Sequence, residues 1–352
     1  MVDTWPVTCI MVTWCSLLTA GILLEFRNIS VIFKIGGGIG LFGAKNIVAV
    51  KDISFALQDT PMITALVGES GSGKSTIARL AAGLLKPTYG EVKYRGKSID
   101  EWIKAREKQF RKEVQIIFQD PYGIYNPYYK IDRFLYTALK KLANIGDVSS
   151  SKSLIIEAMY SLGMRPEEIL GRYPHQLSGG ERQRLMLVLA LLIKPRLLIA
   201  DEPVSMIDAS LRAIFLENLL ELKSKISTSC LYITHDLITA NYVADEILVL
   251  CHGRLVESGP AEKVISDPLH PYTRLLVKSI LLPDPKMRHV VGDVRIQAAT
   301  LSELKPEKGC VFRYRCPYAM KVCEAAEPTL IKFKNGRHVA CYLYESSSSL
   351  VQ

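Results

Sequence analysis

Two glycine-rich stretches carry the chemistry of this chain. The first, Gly68-Glu69-Ser70-Gly71-Ser72-Gly73-Lys74-Ser75-Thr76, has the pattern G-x-x-x-x-G-K-[ST]. It follows an apolar, strand-like run, Ile63-Thr64-Ala65-Leu66-Val67, and precedes residues 77–85, whose apolar spacing predicts a helix. A strand, a glycine turn and a helix in that order make a phosphate cradle. Glycine lets the backbone curl without Cβ clashes. The curled N–H groups and the helix N-terminus then face phosphate oxygens. Gly68, Gly71, Gly73 and Thr76 would shape and line the cradle, Lys74 would reach the β- and γ-phosphates, and the Ser75 hydroxyl would ligate Mg²⁺. A chance glycine turn would lack Lys74, Ser75 and these flanks.

The second stretch, Leu177-Ser178-Gly179-Gly180-Glu181-Arg182-Gln183-Arg184, puts Ser-Gly-Gly at the start of a helix. That is a second anion site, although an ordinary helix cap is the plain alternative. Such a site is useful only if another subunit brings a nucleotide to it. One copy of each stretch therefore reads as half of an ATP-driven machine.

The elements that must position this chemistry are further apolar strands. Residues 196–200 deliver Asp201 and Glu202 at a strand's C-terminal end, where open α/β sheets bind ligands. Asp201 suits Mg²⁺, and Glu202 can polarise an attacking water as general base. Residues 230–234 end at His235, within reach of a γ-phosphate. Residues 116–118 end at Gln119, within reach of Mg²⁺ and the water. Alone, Asp-Glu-Pro is more often a solvated loop and a lone His is usually structural. After a phosphate cradle the functional reading prevails.

In order and spacing these pieces resemble the ATPase subunits of ABC transporters over residues 25–260: 68–76 as Walker A, Gln119 as the Q-loop, 177–181 as the signature, 197–202 as Walker B and His235 as the switch histidine. The resemblance implies an α/β fold, a P-loop NTPase core with a helical subdomain inserted at 121–185. It also implies two subunits packed head to tail, with Ser178, Gly179 and Gly180 binding the γ-phosphate of ATP in trans. Asp208 keeps the D-loop aspartate, but Ser205-Met206-Ile207-Asp208 replaces the usual Ser-Ala-Leu-Asp, and the bulkier Met206 would alter cross-talk between sites. Gln58-Asp59-Thr60-Pro61 replaces the Gly-Glu turn expected before Walker A. The adenine-stacking aromatic falls on Phe33 by position, with Phe42 in the glycine-rich 36–43 stretch as competitor.

A closer resemblance is to the oligopeptide/dipeptide branch of ABC importers. It rests on Gly253-Arg254-Leu255-Val256-Glu257-Ser258-Gly259-Pro260, Asp267-Pro268-Leu269-His270-Pro271-Tyr272-Thr273, Pro283-Asp284-Pro285, and Gln119-Asp120-Pro121-Tyr122 with Asn126-Pro127. In that branch the segment after the Q-loop faces the permease. Tyr125, Tyr128 and Tyr129 make it aromatic here, as a docking surface would be; a Tyr-rich core corner is the plain alternative.

Of eight cysteines, four follow residue 300: Cys310, Cys316, Cys323 and Cys341. Disulfides need an oxidising compartment, and an ATPase works among reduced thiols. Zinc sites usually show a C-x2-C pair, absent here. A [4Fe–4S] cluster needs four thiolates and tolerates wider spacing. Residues 309–317 and 339–341 resemble the C-terminal extension of the peptide-importer ATPases, some of which hold such a cluster. Cluster, zinc and unliganded thiols remain the three readings, and a cluster would be structural.

The length suits one large domain at 25–260 plus a small Cys-containing C-terminal extension at 261–352, without internal repeats. The 44 basic and 35 acidic residues give a net charge of +9. The basic residues are scattered, which points away from nucleic acid and towards a mildly basic face near anionic lipid. Residues 7–24 carry no charge, so a membrane span enters consideration for the segment 1–24. No basic region precedes it, as a signal peptide requires. An upstream translation start explains it best, and an anchor is second.

The resemblance thus implies an ATPase at the cytoplasmic face of the membrane. Its partners would be a second ATPase subunit, two permeases and an extracytoplasmic binding protein, and its cargo oligopeptides or dipeptides. Import of oligosaccharides or nickel by the same machinery is the first alternative. A soluble ABC protein of translation or repair is the second, opposed by the single cassette. A non-hydrolysing regulatory subunit is the third, opposed by Glu202, His235 and the complete signature.

Overall fold

The computed structural model describes residues 21–35, 45–120, 123–279 and 308–345. Readings that fall on 1–20, Phe42, Pro121-Tyr122, 283–285 and 346–349 lie outside these residues. In chain order the elements are β1 (Ile22–Ile35), β2 (Lys45–Gln58), β3 (Ile63–Val67), α1 (Lys74–Ala81), β4 (Tyr89–Tyr94), β5 (Lys97–Ser98), α2 (Ile99–Glu113) and β6 (Val114–Ile117). Then come α3 (Ile131–Ala138), α4 (Val148–Ser161), α5 (Pro166–Ile169), α6 (Gly179–Ile193), β7 (Leu197–Asp201), α7 (Ala209–Ile226), β8 (Ser229–Thr234), α8 (Leu237–Val243), β9 (Glu246–Cys251) and β10 (Arg254–Pro260). The described residues end with α9 (Ala261–Ser266), α10 (Pro271–Lys278), α11 (Lys321–Ala325), β11 (Ile331–Lys332) and β12 (His338–Val339).

The central sheet runs β11-β12-β10-β9-β3-β8-β7-β6. Its five strands from β9 to β6 are parallel. Their near-continuous apolar sequences follow from cover on both faces. Side chains alternate between two cores, as the period of a strand requires. Ile63, Ala65 and Val67 of β3, Leu198 and Ala200 of β7, and Cys230 and Tyr232 of β8 face the core shared with α3, α4 and α6. Leu66, Leu197, Ile199, Leu231 and Ile233 face the other. That second core is closed by α1, α2 and an antiparallel sheet ordered β2-β1-β4-β5.

Two boundaries differ from the sequence reading. β1 begins inside the uncharged 7–24 stretch. Leu23 and Leu24 are fully buried, and Leu24 stands opposite Leu57 of β2 and Tyr94 of β4. The apolar character of Leu23 and Leu24 therefore belongs to the core and not to a membrane segment. Among the described residues no helix is long and apolar enough to cross a membrane. α1 covers 74–81, not 77–85. It starts directly after Gly73, and Gly83, at φ +63°, turns the chain out of it. The C-terminal extension is joined to the ATPase sheet, because Glu257 and Ser258 of β10 pair with Val339 and His338 of β12.

Candidate active site

The loop between β3 and α1 lies at the carboxyl ends of the parallel strands. At two of its glycines the surroundings leave no room for a side chain. Gly73 holds φ +104°, and a Cβ on it would lie 2.7 Å from the Ala49 carbonyl oxygen and from Val50 Cγ1. A Cβ on Gly68 would run into the Leu250 carbonyl oxygen. Ser72 Oγ is buried with no hydrogen-bond partner among the described residues. An orphaned hydroxyl inside a loop of this pattern is what a phosphate oxygen would satisfy.

Lys74 is buried, and its Nζ donates to the carbonyls of Gly68 (2.8 Å) and Glu69 (2.9 Å). Burial lowers its pKa, and the nearby Glu202, Asp201 and Glu69 carboxylates oppose that shift. Ser75 Oγ donates to Asp201 Oδ1 at 3.2 Å, joining the start of α1 to the end of β7. Burial raises the Asp201 pKa, offset in part by Ser75. Ser75, Asp201 and the Gln119 amide supply only hard oxygens, which fits Mg²⁺. Among the described residues no three His, Cys, Asp or Glu gather tightly enough for one metal ion. Mg²⁺ at a phosphate site does not need them, since it keeps waters and substrate oxygens beside one or two carboxylates.

Glu202 follows β7 at φ +47°, in the left-handed region. A non-glycine residue held there stores about 1–3 kcal/mol, which surrounding contacts must offset. Its N–H donates to the Ile233 carbonyl of β8 (2.8 Å), and Ser205 Oγ donates to its carbonyl (3.0 Å). Its carboxylate accepts from Gln119 Nε2 (3.2 Å), lies 3.2 Å from His235 Nδ1, and approaches Lys74 Nζ to 3.9 Å. A cavity of about 80 Å³ beside it is lined by Ser205, Arg212, Thr234 and His235.

These contacts gather Gly68, Lys74, Ser75, Gln119, Asp201, Glu202 and His235 in one place. Ser178, Gly179, Gly180 and Asp208 form a second group at the starts of α6 and α7. Ser178 caps α6 through a reciprocal pair: its Oγ accepts from Glu181 N (3.2 Å), and Glu181 Oε2 accepts from Ser178 N (2.7 Å). A Cβ on Gly180 would meet Leu211 Cδ1 at 2.7 Å, and one on Gly179 would lie 3.1 Å from the Met206 carbonyl oxygen. The signature thus packs on the Ser205–Asp208 turn of its own chain, while the Met206 side chain is exposed. Phe33 is exposed on β1 opposite Ile47, two residues before the Ala49 carbonyl that abuts Gly73.

Two residues to which the sequence reading gave no such role couple the groups. Gln183, fully buried on α6, donates from Nε2 to the carbonyls of Phe118 (3.2 Å) and Gln119 (3.3 Å). Tyr125 is also buried, and its hydroxyl donates to the Arg182 carbonyl at 2.8 Å. The expected docking surface therefore loses Tyr125 to the core, where its ring packs on Phe134. Tyr128 and Tyr129 remain exposed. Arg182 and Gln183 stand in the glycine-rich stretch itself, but nothing in one sequence says that they face the Q-loop.

Cys310, Cys316, Cys323 and Cys341 line one small cavity of about 10 Å³, together with His270 and Phe312. None of these four is in a disulfide. Burial raises the pKa of Cys310 and Cys316, and pushes Cys341 up to about 11. A single zinc at a Zn–S length of about 2.3 Å would draw its sulfurs to within roughly 3.8 Å of one another. Four thiolates are the donor set that a four-iron cluster uses, but among the described residues no three of His, Cys, Asp or Glu gather closely enough to hold a metal ion.

Residues 50–205 match the ABC transporter family, and residues 256–323 match the family described as the oligopeptide/dipeptide transporter C-terminal region. The oligopeptide transport ATP-binding protein OppF of Haemophilus influenzae is 36% identical over 322 residues, 91% of this chain and 96% of that one. The di/tripeptide transport ATP-binding protein DppF of Pseudomonas aeruginosa is 38% identical over 307 residues, 86% and 92% of the two chains. A bacterial ABC transporter cassette solved as a dimer matches with a TM-score of 0.60 at 22% identity, over 68% of this chain and 99% of that one.

Proposed function

The chain belongs to the family of ATP-binding subunits of oligopeptide and dipeptide ABC transporters, and from that premise we propose how its residues energise the import of peptides. It binds and hydrolyses ATP. The observation that carries the mechanism is the convergence of Gln119 and His235 on the Glu202 carboxylate, 3.9 Å from Lys74.

The β- and γ-phosphates would enter the 68–76 loop, taking up its N–H groups and the Ser72 hydroxyl. Lys74 would exchange its two loop carbonyls for charged phosphate oxygens, which make stronger partners. Phe33 would stack on the adenine. Ser75, Asp201 and Gln119 would hold Mg²⁺, which when bound neutralises charge on the transferred phosphoryl group. Glu202 would orient and deprotonate the attacking water, with Gln119 and His235 fixing its carboxylate.

Ser178, Gly179 and Gly180 would close on the γ-phosphate of a second ATPase subunit, with Asp208 facing that subunit across the joint. Gln183 and Tyr125 would carry the closure from the signature helix into the Q-loop segment. Tyr128 and Tyr129 would then pass it to two permease subunits, and an extracytoplasmic binding protein would deliver the cargo. The subunit would sit peripherally on the cytoplasmic face of the membrane. The domain limits of this reading are 25–260 for the ATPase, with 121–185 as the helical subdomain and 261–352 as the extension. The four cysteines would hold a structural [4Fe–4S] cluster, supported by their common cavity. Competitive uptake in cells with and without the subunit tests the cargo. Loss of labelled di- and oligopeptide uptake alone supports peptides, loss of oligosaccharide or nickel uptake reassigns the cargo, and no loss overturns the transport role.

A further inference from the structure

Glu69, the second residue of the phosphate loop, is held on three sides. Its carbonyl accepts from Lys74 Nζ. Its N–H donates to the hydroxyl of Tyr272 at 2.8 Å. Its carboxylate accepts both guanidinium arms of Arg315, each at 2.8 Å. Tyr272 and Arg315 lie more than 200 residues downstream, in the part of the chain that carries the cysteines. Both rest on Phe312. The Tyr272 ring packs on it at 5.4 Å, and the Arg315 guanidinium lies over it at 5.6 Å. Phe312 is buried in the wall of the four-thiol cavity, and Arg315 precedes Cys316.

A second tether meets the other side of the same loop. Glu327 of the extension pairs with Lys51 and Arg254. Lys51 N donates to the Gly253 carbonyl (2.9 Å), and Gly253 N donates to the Ser72 carbonyl (2.8 Å). The loop that cradles phosphate is therefore braced from both ends by the cysteine module.

We infer that Arg315 is a positioning residue for ATP binding: through the Glu69 carboxylate it fixes the peptide group whose carbonyl sets the resting place of Lys74, so the cysteine module governs nucleotide affinity. A bidentate Arg–carboxylate pair fixes angle as well as distance. The Tyr272 hydroxyl holds the preceding peptide plane, whose Gly68 carbonyl is the other anchor of Lys74 Nζ. Without the pair, Glu69 turns freely and Lys74 loses one of its two anchors, so part of the binding energy goes into ordering the loop. The inference rests on the ATPase reading and not on what the thiols hold.

The test is ATP titration and steady-state turnover with the full-length chain in its assembled transporter, for Arg315→Ala, Arg315→Lys, Glu69→Gln and the Arg315→Ala/Glu69→Gln double variant. Arg315→Ala should weaken ATP affinity about 5- to 30-fold, within the usual range of coupling between sites. The loss should appear in KM far more than in kcat, and Arg315→Lys should recover part of it. The double variant should be no worse than the poorer single one, because both remove the same contact. Affinity within about twofold of the parent for both single variants, additive losses, or a fall in kcat with KM unchanged would each overturn the inference. Glu69→Gln approaches the pair from the ATPase side and keeps the test decisive if Arg315→Ala fails to fold. Iron content measured on the same preparations reports separately on the cluster.

Discussion

Replacing Glu202 by Gln keeps the shape of the side chain and removes only its charge and basicity. The carboxylate accepts from Gln119 at 3.2 Å and lies 3.2 Å from His235, and a Gln amide oxygen can take over both contacts. The backbone stays at φ +47° in either case, so the strain at this position is unchanged. What disappears is the general base, typically a factor of about 10²–10⁴ in rate, or about 3–5 kcal/mol of barrier. The ion pair with Lys74 at 3.9 Å goes too. Its gross attraction is on the order of 4 kcal/mol at an effective dielectric of 20, most of it offset by the desolvation of both groups. Lys74 then meets incoming phosphate without a competing carboxylate, so ATP affinity should hold or rise while turnover collapses. ATP titration, steady-state phosphate release and light scattering for ATP-dependent dimers measure the three quantities. Turnover within about threefold of the parent would remove Glu202 from the role of base. A tenfold loss of ATP affinity would refute the claim that it competes with phosphate for Lys74.

Three other substitutions follow from the geometry. Gly73→Ala puts a Cβ against the Ala49 carbonyl and Val50 at a φ of +104°, and should cost about 2–5 kcal/mol and abolish ATP binding, as calorimetry and titration would register. Tyr125→Phe removes the hydroxyl's bond to the Arg182 carbonyl, which keeps its place in α6, and should cost about 1 kcal/mol, read as a fall of a few degrees in Tm. Glu246 opens β9 with its carboxyl pKa raised by burial and by the adjacent Asp245. A carboxylate whose folded pKa is raised contributes stability at acid pH that is lost as pH climbs through that raised value. Glu246→Gln should therefore raise Tm at neutral pH and leave it unchanged below the ordinary glutamate range. Equal Tm shifts at both ends would contradict the assignment.

The catalytic half of the site was legible because its chemistry is local. A phosphate loop needs its glycines, Lys74 and Ser75 in one unbroken run, and Asp201-Glu202 and His235 each end a buried apolar strand whose composition announces it. What single-sequence reasoning missed is carried by residues whose partners are distant. Gln183 reaches the Q-loop carbonyls from 64 and 65 positions away, and its bond is to backbone, which leaves no pattern in residue type. Tyr125 reads equally as part of a docking patch with Tyr128 and Tyr129 or as a core corner, and only the tertiary contact with Arg182 decides for the core. Leu23 and Leu24 were read with the uncharged segment before them, because length and apolarity do not distinguish a core strand's first residues from the end of a longer run. The helix after the cradle was set three residues late, because the register at Gly73 is fixed by a backbone angle and not by amphipathic spacing.

The short pairing of β12 with β10 has a consequence for self-association. Without β12, β10 would be the terminal strand of the large sheet, offering the N–H and C=O groups of 256–258 to any other extended chain. Unprotected edges of this kind recruit neighbours and lead to aggregation. The hairpin of β11 and β12 is only four residues of strand, too short to serve as a template itself. The last segment of the chain therefore acts as a guard on the ATPase sheet, and a truncation after α10 would yield a domain whose hydrolytic residues are all present but whose open flank invites copies of itself to stack.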